Sequence, residues 1–140
     1  MARLKTFEEL DCWKKASQLR RNLSELVHRF PSEEKYRLVD QIIRASRSVT
    51  ANIAEGFGRF HYKEYARYCR QARGSVYELI DHLIVAEESR LISHEDFENY
   101  KNRIENCIKV LNGFISYLLN PNKPGRAEEP ELEYQLTYND

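Results

Sequence analysis

Four stretches of this sequence repeat apolar residues at steps of three and four, each long enough to form a helix that buries one face. The first carries Leu10, Trp13, Ala16, Leu19, Leu23, Leu26 and Phe30. The second runs from about Glu33 to Phe57, and the third from about Tyr62 to Arg90 with Tyr65, Cys69, Ala72, Val76, Leu79, Leu83 and Ala86 on one side. The fourth carries Phe97, Tyr100, Ile104, Ile108, Leu111, Ile115 and Leu118. The punctuation agrees with the periods. Thr6-Phe-Glu-Glu9 is a capping box that opens helix 1, Pro31-Ser32 stops it and caps helix 2, Gly56 or Gly58 ends helix 2, and Ser93-His-Glu-Asp96 caps helix 4. Helices of about 25 residues are about 35–40 Å long. Short connections make neighbours antiparallel, so the expected fold is all-α, an up-down-up-down four-helix bundle over residues 1–119.

Residues 120–140 break the pattern. Asn120-Pro-Asn-Lys-Pro-Gly125 cannot continue a helix. Beyond it Leu132, Tyr134, Leu136 and Tyr138 alternate with polar residues. This C-terminal tail reads either as disordered or as an extended segment that lays alternate side chains on a groove, its own or a neighbouring subunit's.

Composition narrows the function classes. The chain has 140 residues, one domain's worth, with 22 basic and 22 acidic residues that cancel. A zero balance argues against a strongly basic nucleic-acid binder and against an acidic disordered protein, yet leaves room for a local patch. The longest uncharged stretch, Val110 to Asn122, is short of the ~20 residues a membrane span needs, so a soluble, cytoplasmic protein without a membrane partner is expected. Cys12, Cys69 and Cys107 are odd in number and form no CxxC pair, which suggests small buried residues rather than disulfides or a metal site. No P-loop, GxSxG or HExxH motif is present. Glu25-Leu-Val-His28 has di-iron spacing, but such sites need two copies and further inward carboxylates, and this one faces away from the apolar side. We therefore expect no enzyme activity, no cofactor and no metal.

Two surfaces stand out instead. Helix 2 has an apolar arc wider than one bundle face requires. Val39, Ile43, Ala54 and Phe57 extend it, and they are the candidate contacts of a homo-oligomer. The outer stripe of helix 3 begins basic with Lys63, Arg67 and Arg70 and ends acidic with Glu78, Asp81 and Glu88, opposite to the macrodipole preference. Gly74 sits in the middle of it, where close approach of another backbone would explain a residue costing about 1 kcal/mol relative to Ala. The plainer reading is a solvated charged face.

From Glu33 to Arg73 there are nine Lys/Arg against five Asp/Glu. Arg37, Arg44, Arg47, Arg59, Lys63, Arg67, Arg70 and Arg73 are the candidate nucleic-acid contacts, since Arg suits bidentate phosphate binding. Tyr62, Tyr65 and Tyr68 lie among them, and exposed rings there would stack on bases. Arg with Asp or Glu also builds interfaces, so a protein-interaction scaffold remains the alternative.

Four motifs carry a resemblance. They are Phe7-x-x-Leu10-x-x-Trp13-x-x-Ala16, then Phe30-Pro31-x-x-Glu34-x-Tyr36-x-Leu38-x-x-Gln41-Ile42-x-Arg44-Ala45-x-x-Ser48, then Ala51-Asn52-Ile53-Ala54-Glu55-Gly56-x-Gly58-Arg59, and Ala72-Arg73-Gly74-Ser75-x-x-Glu78-Leu79. Over roughly residues 5–119 the chain resembles the four-helix-bundle proteins encoded in intervening sequences of bacterial 23S ribosomal RNA genes. That family is similar to the accessory protein of diversity-generating retroelements. The resemblance implies a homo-oligomer, typically a pentamer, with a basic surface for RNA or DNA and no catalysis. Where the family often has Pro or Ser after Val49, this chain has Thr50-Ala51, which smooths helix 2. Asn52 and Glu55 interrupt the helix 2 face, where they are placed to bind helix 3 or a neighbour. Glu55 with Arg59 or Arg44 is the expected structural pair, which would make the most specific motif architectural.

Overall fold

A computed structural model describes residues 5–59 and 61–120. Four helices account for most of them: α1 (Asp11–Val27), α2 (Leu38–Phe57), α3 (Tyr62–Glu88) and α4 (His94–Leu119). No strand occurs among the described residues. α2 lies between α1 and α3, and α4 closes the bundle against α3 and α1. Cross-helix contacts fix the directions. Phe7 and Arg20 meet Phe57 and Thr50, Gly56 and Ser48 meet Tyr65 and Ser75, and Tyr65 and Arg73 meet Phe114 and Asn112. In each pair rising numbers meet falling ones, so neighbouring helices are antiparallel. The tail residues Leu132, Tyr134, Leu136 and Tyr138 lie outside the described residues.

The core is the predicted apolar faces brought together. Leu23, Ile42, Ile53, Leu79, Leu83, Ile104 and Leu111 are wholly buried, and each such side chain contributes about 1.5–3 kcal/mol through removal from water. Tyr65 and Phe114 meet edge to face at the centre, centroids 5.1 Å apart. Cys12, Cys69 and Cys107 are buried free thiols.

Two helix starts differ from the expectation. Thr6 does cap, its Oγ1 accepting from the Glu8 backbone N–H at 3.5 Å, but it caps only a single 3-10 turn at Phe7–Glu9. Leu10 is then extended and wholly buried, and α1 begins after it. The break lets the Phe7 ring fold back onto Trp13 at 5.4 Å and Phe57 at 6.4 Å. Helix 2 likewise starts later than Glu33. Ser32–Glu34 forms a 3-10 turn, Arg37 takes φ −118° and ψ −107°, and α2 opens at Leu38, whose N–H donates to the Glu34 carboxylate at 3.4 Å. The cap of α4 is as expected, with Ser93 Oγ accepting from the Asp96 N–H at 3.0 Å.

Gly56 sets the closeness of α2 and α3. A Cβ built there would stand 2.7 Å from Tyr65 Cδ1 and 3.1 Å from Tyr68 Cβ. Between α3 and α4 the chain reverses through Arg90 at φ 61°, with the Leu91 N–H donating to the Ala86 carbonyl at 2.8 Å. That is the helix-ending geometry usually given to Gly.

Candidate nucleic-acid interface

Local ion pairing sorts the eight candidate cations into two groups. Arg44 bonds Asp40 at 3.0 Å, Arg59 bonds Glu55 at 3.2 Å and Arg67 bonds Glu64 at 2.6 Å. The Arg67 hydrogen bond holds the Glu64 carboxyl below its ordinary pKa and raises that of Arg67. Exposed pairs one turn apart stabilise a helix by only about 0.3–0.5 kcal/mol. Their larger consequence here is that a carboxylate stays beside each guanidinium and cancels its charge. Arg37, Arg47, Lys63 and Arg70 have no such partner among the described residues. Arg73 donates to the Asn112 side-chain oxygen at 2.8 Å, which orients it across α3 and α4 without neutralising it.

The expected stacking platform is absent. Tyr62 and Tyr65 are buried in the core. Tyr68 is half-buried, with the Arg59 and Arg67 guanidinium carbons 5.1 and 4.7 Å from its ring centre and Arg59 donating to its hydroxyl at 2.9 Å. The error arose because three of the tyrosines near the basic segment sit on, or at the edge of, the face of α3 that meets α2. The exposed ring is Tyr36, 83% accessible, in the turn before α2 and flanked by Lys35 and Arg37. The expected start of helix 2 at Glu33 hid it, because Tyr36 lies in the turn that precedes the actual start at Leu38.

The polar residues of the central motif knit α2 to α3. Asn52 Nδ2 donates to the Ser48 carbonyl at 2.9 Å and to its hydroxyl at 3.1 Å, and that hydroxyl bonds Ser75 of α3 at 2.9 Å. Glu55 holds Arg59, which reaches Tyr68 of α3. With Gly56 admitting the α3 rings, every distinctive side chain of Asn52-to-Arg59 serves the helix junction. Arg44 takes Asp40 instead of Glu55.

The wide apolar arc of α2 is largely taken up within the chain. Val39, Ile43 and Phe57 are partly buried against the core, and Ala54 is half-buried. Apart from Leu119 at the end of α4, the large exposed apolar residues of the helices are on α3: Tyr77 at 55%, with Ile84 and Val85 at 39%. Gly74, on the same helix, has nothing of this chain within 4 Å of the place a Cβ would occupy.

A second basic feature escaped the sequence reading. Arg20 and Arg21 of α1 are held in a network of neutral acceptors. Arg20 donates to Thr50 Oγ1 at 2.8 Å and to Ser17 Oγ at 3.4 Å, while Arg21 donates to the same Ser17 Oγ at 2.7 Å and to Gln18 Oε1 at 2.8 Å. Ser17 and Thr50 are buried polar residues on the α1–α2 seam. A hydroxyl amid an otherwise apolar arc, such as Thr50, signals a cross-helix partner.

The cleft at the end of α1, about 400 Å³, is charged differently. There Arg29 faces Asp96 at 3.8 Å and His94 bonds Glu87 at 2.5 Å, so acids and bases are interleaved. Among the described residues no group of three His, Cys, Asp or Glu is placed to hold a metal, and no helix is long and apolar enough to cross a membrane.

The model of the family described as 23S rRNA-intervening sequence protein matches residues 8–113. The chain belongs to that family. The match spans all four helices up to the last turns of α4, the same stretch that carries the four motifs. No curated protein matches the chain. Among solved structures, a Bacteroides thetaiotaomicron protein of unknown function from the S23 ribosomal protein family has the same fold. It has TM-score 0.69 and 21% identity, with 75% of this chain and 95% of that chain covered.

Proposed function

We propose that this protein is a non-catalytic, homo-oligomeric accessory factor that binds RNA or DNA through phosphate contacts. The observation that carries the reading is the sorting of the cations. In a chain with no net charge, Arg37 at the start of α2, Arg47 on α2 and Lys63, Arg70 and Arg73 on α3 have no carboxylate within ion-pair distance among the described residues, while Asp40, Glu55 and Glu64 are engaged with other arginines. Charge of this kind positions a protein on a phosphate backbone without reading sequence. Tyr36 adds an exposed ring between two cations on which one base can stack. The absence of catalysis is part of the proposal, as is a cytoplasmic location.

Assembly is supported by a different surface. Tyr77, Ile84 and Val85 expose apolar area on α3, beside an open Gly74 and a stripe whose basic and acidic halves suit an offset second copy. The family resemblance makes a pentamer the expected size. The same exposed apolar residues favour the second reading, a protein-interaction scaffold without nucleic acid.

Titrating salt against affinity for a structured RNA, a single-stranded DNA and a duplex DNA separates the two. The nucleic-acid reading expects binding to at least one of them with an affinity that falls linearly on log–log axes and is indifferent to shuffled sequence. Absence of binding to all three at low salt, by an intact oligomer, establishes the scaffold.

A further inference from the structure

We propose that Arg20 and Arg21, flanked by Arg47, form a phosphate-binding site on the α1–α2 seam that takes a backbone phosphate of a bound nucleic acid. The site rests on the nucleic-acid reading above. Two guanidiniums converge on one hydroxyl, Ser17 Oγ, at 3.4 and 2.7 Å. Like charges brought to a shared acceptor repel, and a protein ordinarily offsets that repulsion with a carboxylate. Here every acceptor is neutral: two hydroxyls and the Gln18 amide, itself steadied by donating to Asn22 at 3.0 Å. Neither arginine has a carboxylate within ion-pair distance among the described residues.

A carboxylate was available. Glu25 stands one turn beyond Arg21 on the same helix, yet Arg21 turns back to Ser17 and Gln18. An Arg placed N-terminal to Glu is the poorer order for such a pair. On the α2 side Asp40 is held by Arg44 and Glu55 by Arg59, so no acid of α2 answers the pair. The Thr50 hydroxyl is fixed in turn. Thr50 donates its proton to the Arg47 carbonyl at 3.2 Å, which leaves its lone pair for Arg20. Ser17 and Thr50 are 1% and 5% exposed, so water does not compete for these bonds. The outcome is a pair of oriented guanidiniums that keep their full charge; each spends two of its five N–H groups on these acceptors and keeps three for a ligand. That is the arrangement a phosphate's several oxygens require. Arg47, exposed and without a carboxylate among the described residues, stands one turn from Thr50 on α2, which puts a third cation on the helix next to the pair.

The test is a salt titration of binding to a fluorescein-labelled 30-nucleotide uridine RNA, with thermal unfolding and light scattering on each variant. Arg21→Gln, at an exposed position, should flatten the log–log salt slope by about 0.7 and the Arg20→Gln/Arg21→Gln double by about 1.4, since each phosphate contact on a single strand contributes about 0.7. The control Arg44→Gln/Arg67→Gln should move it by less than half as much. Wild-type binding with a slope unchanged in both the single and the double variant overturns the site and leaves the nucleic-acid reading standing. Where the wild type does not bind this RNA, the titration is run on whichever of the three nucleic acids named above it does bind, and binding to none of them overturns both. A double variant that keeps its slope but changes oligomeric mass assigns the pair to a carboxylate of a second copy, and a control as damaging as the double variant makes the effect one of general charge; each overturns the site.

Discussion

Gly56 and Gly74 look alike in the sequence and differ in what surrounds them. Any side chain at Gly56 meets the Tyr65 ring at 2.7 Å, so Gly56→Ala must force α2 and α3 apart. We expect a loss of about 1–3 kcal/mol in urea unfolding, the range for overpacking. Gly74→Ala meets nothing in the chain. It should stabilise the isolated bundle by up to about 1 kcal/mol through helix propensity. If it stabilises the monomer against unfolding yet lowers the mass of the assembly, the open glycine belongs to a subunit contact. The thiols make a second residue-level case. Burial pushes Cys69 and Cys107 up to about 12, and Cys12 is raised well above its ordinary value by the same cause and by its two neighbouring thiols. A thiol held protonated and covered is a poor nucleophile. All three should resist a disulfide-exchange reagent in the native protein at pH 8 and react together on unfolding; rapid native reaction would contradict the packed core.

At the scale of the element, the α3–α4 reversal depends on two exposed features. Arg90 occupies the left-handed region at φ 61°, where a non-Gly residue is strained by about 1–2 kcal/mol. Arg90→Gly should therefore stabilise the fold, by about 0.5–1 kcal/mol after the larger unfolded-state entropy of Gly is counted. Across the same turn His94 bonds Glu87, which raises the imidazole pKa above its ordinary 6.5. The folded value exceeds the unfolded one, so the link contributes fully below about pH 6.5 and is lost as pH climbs through the raised value. A proton-resolved titration should place His94 above 6.5 in the native protein and return it toward 6.5 in Glu87→Gln. The existence and direction of all four helices were legible, because 3.6-residue periods and caps such as Ser93 are local. The starts of α1 and α2 were not. A capping box at Thr6 cannot reveal that Leu10 will be drawn into the core as an extended residue, since Phe57, which the Phe7 ring seeks, is far away in sequence. Asn52-to-Arg59 was legible as architecture, because Glu55 and Arg59 are one turn apart. Arg20 was not, because its acceptor Thr50 lies thirty residues on.

For the whole molecule, the zero net charge conceals an uneven distribution. Asp40, Glu55 and Glu64 each neutralise one arginine, and among the described residues the remaining Lys and Arg of α1, α2 and α3 are left with neutral partners or none. The apolar surplus expected on Val39, Ile43, Ala54 and Phe57 turns inward in part, while Tyr77, Ile84 and Val85 remain outside. Light scattering at micromolar concentration should report a mass near five times the 16.7 kDa chain, and Tyr77→Asp with Val85→Asp should lower it without unfolding the bundle; a monomer at that concentration would contradict assembly. The central claim is that charge left without a carboxylate binds phosphate, and charge that has one builds structure. The most direct measurement compares two triple substitutions of folded protein on one single-stranded RNA across a salt series. Arg37→Gln/Lys63→Gln/Arg70→Gln should flatten the salt slope by about two, while Arg44→Gln/Arg59→Gln/Arg67→Gln should change it by less than half of that. Equal losses from the two sets, or a larger loss from the carboxylate-paired set, would contradict the account.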